Sequence, residues 1–241
     1  MFKKLVLTVA LLAATGANAD TITQWNFNSV TPDSATGTGS IIASIGAGSL
    51  SALAGVTTTF SSGSANGGST DTAPTADDSG FQTTGYAAQG AGNKTRGVQF
   101  NVSTVGFEDI LVSYDLRHSN TSSRYELFQY SLDGTNFVDF ALFDGNAGDT
   151  WFNNRTVDLS PITGADNNAS FAFRVVAAFA PGTSANAAST STATYAGTGT
   201  WRFDMVTASG ATVAAVPEPE TYALLVAGLG FVGFSARRKA V

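Results

Sequence analysis

Asp204 stands in the run TWRFDMVTAS, a carboxylate between Phe203 and Met205 in a segment that otherwise alternates apolar and polar residues. A strand carboxylate is a hard oxygen donor, and calcium is the cation that collects such donors at about 2.3–2.6 Å. Asp204 is a candidate ligand for such a cation. The competing arrangement is a solvent-facing carboxylate paired with Arg202 or Arg174. No EF-hand spacing occurs, and the loop acids Asp77, Asp78, Asp144 and Asp149 lack a full ligand set. Trp151, in GDTWFNNR, has polar neighbours and is the candidate platform for stacking on a sugar. Against that stands the tendency of large aromatics to fill cores.

Catalytic groups are sparse. The single histidine, His118, would need a placed serine and an acid partner to act as a base, and no G-x-S-x-G elbow is present. A glycosidase needs two carboxylates at a set separation. Before the C-terminal segment the chain has two glutamates, Glu108 and Glu126, although aspartates could substitute. With no cysteine, disulfides, thiolate metal sites and a cysteine nucleophile are all excluded. No catalytic residue is assigned.

Strands must carry these residues. In DILVSYDLRHS, Ile110, Val112, Tyr114 and Leu116 share one face while Ser113, Asp115 and Arg117 share the other. Phe171, Phe173, Val175, Ala177 and Phe179 line up in the same way, as do Trp201, Phe203 and Met205. TQWNFNS, GVQFNVS, RYELFQYSLDG, NFVDFALFDG and NRTVDLS bring the total to about eight strands. Asp133-Gly134 marks a hairpin between two of them. The expected fold is all-β, an antiparallel jelly-roll-like β-sandwich whose first and last strands pair. Residues 31–97 and 180–200, rich in Gly, Ser, Thr and Ala, are expected to be long loops, with one or two weak strands around Ile41 to Val56.

From Asp20 to Val216 sixteen acidic residues face seven basic ones, a balance of −9. Such a domain is a poor binder of nucleic acid, whose phosphates call for Lys and Arg. At the N-terminus, Lys3 and Lys4 precede an apolar run, and Ala17-Asn18-Ala19 forms a small-x-small cleavage site. Residues 1–19 read as a signal peptide for the secretion translocon and signal peptidase, leaving an exported domain over 20–215. At the other end, Pro217 and Pro219 hold Glu218 extended. Thr221 to Ala236 would make about 24 Å of helix, short of the roughly 30 Å hydrocarbon core, and Arg237, Arg238 and Lys239 favour the cytoplasmic side.

Pro217-Glu218-Pro219, the apolar stretch and the closing Arg237-Arg238-Lys239, taken together over 216–241, resemble the PEP-CTERM sorting signal. That resemblance implies recognition and cleavage by an exosortase-type transpeptidase after transient anchoring in the inner membrane, in a bacterium with an exopolysaccharide programme. Gly97 to Gly210 is similar to jelly-roll domains that accompany such signals, some of whose relatives bind carbohydrate, and for Asp204 on the last strand this resemblance implies a structural calcium tying the chain ends together. The expected protein is a non-catalytic surface or biofilm-matrix component linked to exopolysaccharide. Its alternatives are a carbohydrate-binding module and a secreted hydrolase without a recognisable motif.

Overall fold

A computed structural model describes residues 19–213. The signal peptide, its cleavage site at Ala17 and Ala19, and the sorting-signal residues Pro217, Glu218, Pro219, Arg237, Arg238 and Lys239 lie wholly or largely outside the described residues, with only Ala19 inside them. Among the described residues no helix is long and apolar enough to cross a membrane.

Two antiparallel sheets face each other. The strands are β1 (Asp20–Trp25), β2 (Ile45–Gly46), β3 (Gly48–Ala52), β4 (Thr57–Ser62), β5 (Ser79–Thr84), β6 (Gly97–Val102), β7 (Phe107–His118), β8 (Tyr125–Ser131), β9 (Val138–Asp144), β10 (Thr150–Asp158), β11 (Ala172–Ala178) and β12 (Trp201–Thr212). One sheet runs β10-β7-β12-β1-β2, with β5 also on β12 and β4 on β5. The other runs β3-β6-β11-β8-β9. Their inner faces enclose one aromatic-rich core, in which Phe100 stacks on Phe173 at 4.9 Å and Phe173 on Phe128 at 5.5 Å. Rings of this size bury large apolar areas, the dominant favourable term in holding two sheets together.

The alternation read from the sequence holds where strands are regular. Ile110, Val112, Tyr114 and Leu116 are all buried, as are Phe171, Phe173, Val175 and Ala177. The expected pairing of first and last strands is present, with Asp20 opposite Gly210 and Trp25 opposite Val206. The Asp133-Gly134 turn joins β8 to β9; Gly134 has φ 75°, and Asp133 Oδ1 accepts from the Thr135 and Asn136 amides.

Two expectations need correction. Residues 31–97 hold more strand than the one or two weak strands expected: β2 and β3 fall within 41–56, β4 and β5 are added, and the rest of the stretch is irregular. These strands are built from Ser, Thr and Gly, and only a few residues such as Val56, Phe60 and Phe81 anchor them to the core, so apolar periodicity is faint. Met205 does not share the inner face of Trp201 and Phe203. A bulge follows Asp204, where Met205 has φ 47°, and Val206 and Ala208 take the inward positions instead. An extra residue at a bulge reverses the parity of everything after it. Residues 180–200 remain irregular, tied in by an isolated bridge between Ser123 and Ala188 and by backbone hydrogen bonds such as Ala196 to Thr121 and Tyr86 to Gly197.

Candidate functional site

The bulge in β12 sits where its neighbour changes. Trp201, Arg202 and Phe203 pair with β5, whereas Val206 to Gly210 pair with β1. Asp204 lies at this junction on the outer face of the sheet, opposite Asp115 of β7. The connection from β4 to β5, residues 63–78, folds back over that outer face. Thr70 donates to Asp115 Oδ2 through its amide (2.5 Å) and its hydroxyl (2.6 Å), and Ser69 Oγ donates to Asp204 Oδ2 (2.8 Å). Farther out, Trp151 Nε1 donates to the Ala65 carbonyl (2.8 Å) and Asn153 Nδ2 to the Gly68 carbonyl (3.0 Å). Arg202 donates to the Ser62 carbonyl and to Gln82 Oε1.

Beneath this loop Asp71, Asp78 and Asp204 converge, each offering an oxygen within 4.8 Å of the others. Asp204 is fully buried, Asp78 is 2% exposed, and Asp71 is half-buried. The Asp71 carboxylate is oriented by Asn28 Nδ2 (2.7 Å) and the Ala73 amide (2.9 Å), and Asp204 Oδ1 accepts from the Met205 amide (2.8 Å). Asn28 Oδ1 in turn accepts from the Ser79 amide (2.7 Å), which fixes the start of β5. Burial, reinforced by the neighbouring carboxylates, pushes Asp204 well above the usual aspartate range, while burial and the Asp71 charge push Asp78 up to about 6.

Asp204 is thus neither solvent-facing nor ion-paired, contrary to the competing arrangement; Arg202 turns both terminal guanidinium nitrogens to other acceptors and Arg174 lies in the other sheet. Asp71 and Asp78 are partners that sequence spacing does not link to it. Trp151 is corrected as a sugar platform. It is only 7% exposed, because the 63–78 loop covers it, and its polar neighbours serve to bind that loop and Asp115.

The groups weighed for catalysis are placed differently. His118 is fully buried, with Nδ1 2.9 Å from the Ser123 carbonyl, Nε2 3.5 Å from Glu126 Oε1, and its ring edge-on to Trp201. Glu126 is also fully buried and accepts from Arg155 Nε at 2.9 Å. Glu108 is exposed near the start of β7. The two glutamates do not share a cleft among the described residues.

Comparison with known proteins places the PEP-CTERM protein-sorting motif at residues 215–239. Among curated proteins the chain finds no match. Distant structural likenesses include the CBM22-1–GH10 modules of the Clostridium thermocellum xylanase 10B complexed with xylohexaose (15% identity, 69% of this chain and 27% of that one, TM-score 0.42). A second is the CBM22-1–CBM22-2 tandem of Paenibacillus barcinonensis Xyn10C (12% identity, 86% and 50%, TM-score 0.45). A third is the K2 cleaved adhesin domain of Lys-gingipain (13% identity, 68% and 98%, TM-score 0.34). This chain spans half or less of the first two, and likenesses so distant carry no argument about its ligand.

Proposed function

We propose that this protein is an exported surface or matrix component that an exosortase recognises and processes at its C-terminus, and that its β-sandwich works by binding or by structure rather than by catalysis. The sorting motif at 215–239 carries this reading. Extended backbone is the form that transpeptidases bind, and a proline on each side of Glu218 would favour it there. The short apolar stretch and the Arg237-Arg238-Lys239 cluster supply a temporary stop in the inner membrane. Mass spectrometry of the C-terminus, taken from the membrane fraction and from the medium, tests the reading. The expected released chain ends between Pro217 and Glu220. An intact Arg237-Arg238-Lys239 end in every fraction would overturn it.

A second reading is polysaccharide binding, and the outer face of the β3-β6-β11-β8-β9 sheet favours it. Gln99, Arg174, Gln129 and Asp139 occupy neighbouring register positions on β6, β11, β8 and β9. Arg174 Nε donates to Gln129, Gln129 Nε2 to Asp139, and Lys94 closes the row on Asp139. Phe137 packs 4.0 Å from the Arg174 guanidinium carbon. Buried Gln129 holds Arg174 and Asp139 in place, so the half-buried guanidinium and the Gln99 amide would meet sugar hydroxyls with little further loss of side-chain freedom. Affinity electrophoresis through neutral polysaccharides should show retarded migration that Arg174→Ala reduces at least about fivefold. Equal mobility with and without polysaccharide would remove this second reading.

A further inference from the structure

We propose that Asp71, Asp78 and Asp204 form a calcium site that latches the 63–78 loop onto the outer face of β12. The proposal does not depend on how the C-terminus is processed.

Three observations carry it. The first is geometric: oxygens on one calcium, each at about 2.3–2.6 Å, can stand up to about 5 Å apart. The three carboxylates meet that limit, with ligand atoms within 4.8 Å of one another. The second is an unpartnered atom: Asp78 is 2% exposed, yet its Oδ1 has no hydrogen-bond partner, and it points into the cluster. A buried carboxylate oxygen left without a partner is costly, and a cation is the partner this position lacks. The third is charge: none of the five ion pairs among the described residues reaches Asp71, Asp78 or Asp204. Buried Glu126, by contrast, has Arg155.

The surroundings fit a cation as well. A Cβ at Gly63 would press on Asp78 Oδ1 and lie 2.7 Å from Asp204 Oδ2, so bare backbone is what lets the two carboxylates close on one point. The hydrogen bonds to Asp71 and Asp204 orient those groups and leave lone pairs on each oxygen. The donors are all oxygen, with neither histidine nor cysteine in the group, which selects a hard cation over zinc. Three carboxylates from distant places in the sequence suit the looser coordination of calcium better than the strict octahedron of magnesium. Bound there, the cation would join Asp71 of the loop, Asp78 at its end and Asp204 on the last strand.

The test is calorimetric titration of the EGTA-stripped full chain with calcium chloride, together with melting curves. We expect about one calcium per chain and, at calcium about a hundredfold above Kd, a melting temperature raised by about 5–10 °C. Asp71→Asn, at the half-buried position, should weaken affinity at least about tenfold while leaving the fold intact. Asp78→Asn should abolish the calcium response, yet melt no lower than the metal-free wild type, because it removes a charge from the cluster. A purely structural role for Asp78 would instead lower its melting temperature. Absence of both heat and thermal shift in the wild type would overturn the site, as would wild-type titration by both variants. A shift with magnesium equal to that with calcium would overturn the assignment to calcium.

Discussion

Asp78 and Asp204 have folded-state pKa values raised above those of the unfolded chain, by burial first and by neighbouring carboxylates second. In the folded metal-free protein these two groups hold protons that the unfolded chain has already released, so their contribution to stability falls as pH rises, against the opposite and more acidic trend of lowered aspartates such as Asp133 and Asp144. For Asp78 the interval runs from about the ordinary value of 3.8 to about 6, and Asp204 extends it upward. Arg202, itself lowered to about 10 by burial, tempers this without pairing. Calcium competes with the same protons, so its benefit should be small near pH 4 and largest at neutral pH. With EGTA the melting temperature should drop by roughly 5 °C between pH 4 and pH 7, and calcium should flatten the slope. A melting series that is level in both conditions would contradict this. Of the three acids only Asp204 is legible in the sequence as a ligand, because it stands on the last strand, where jelly rolls can place an acidic residue. Asp71 and Asp78 sit in a Gly/Ser/Thr-rich stretch and reach Asp204 only through the fold.

The strands that sequence reading recovers are those with large side chains on one face. β7, β8, β11 and β12 announce themselves by alternation, whereas β2 to β5 are short, made of small and hydroxylated residues, and carry few core contacts. Bulges defeat the pattern in another way, since nothing in TWRFDMVTAS says that Met205 adopts a left-handed backbone. The 63–78 connection behaves as an element of its own. It has little core and is held at Asp115, Trp151, Asn153 and Asp204 by side-chain hydrogen bonds. Segments with few apolar contacts open locally before the fold does. Elastase, which cuts after small residues, should make its first cut in 63–78 in EGTA and do so at least about tenfold more slowly with calcium. Equal rates would mean that the loop is held without a cation.

Across the whole molecule, closure by the first and last strands follows from jelly-roll topology and not from any spacing in the sequence. The way β5 and β1 share one edge of β12 could not be anticipated, since it depends on where the bulge falls. β12 also has a mechanical consequence. It is twelve residues long, lies inside its sheet with β7 on one side and β5 and β1 on the other, and is the last strand before the sorting motif in the sequence. A pull on the C-terminal side acts along this strand, while its ladder hydrogen bonds run across it. Tension therefore loads many bonds at once in shear instead of peeling them one by one, as it would on an edge strand. Were the chain held at its C-terminus, drag from its surroundings would fall on the strand that joins β7 to β5 and β1.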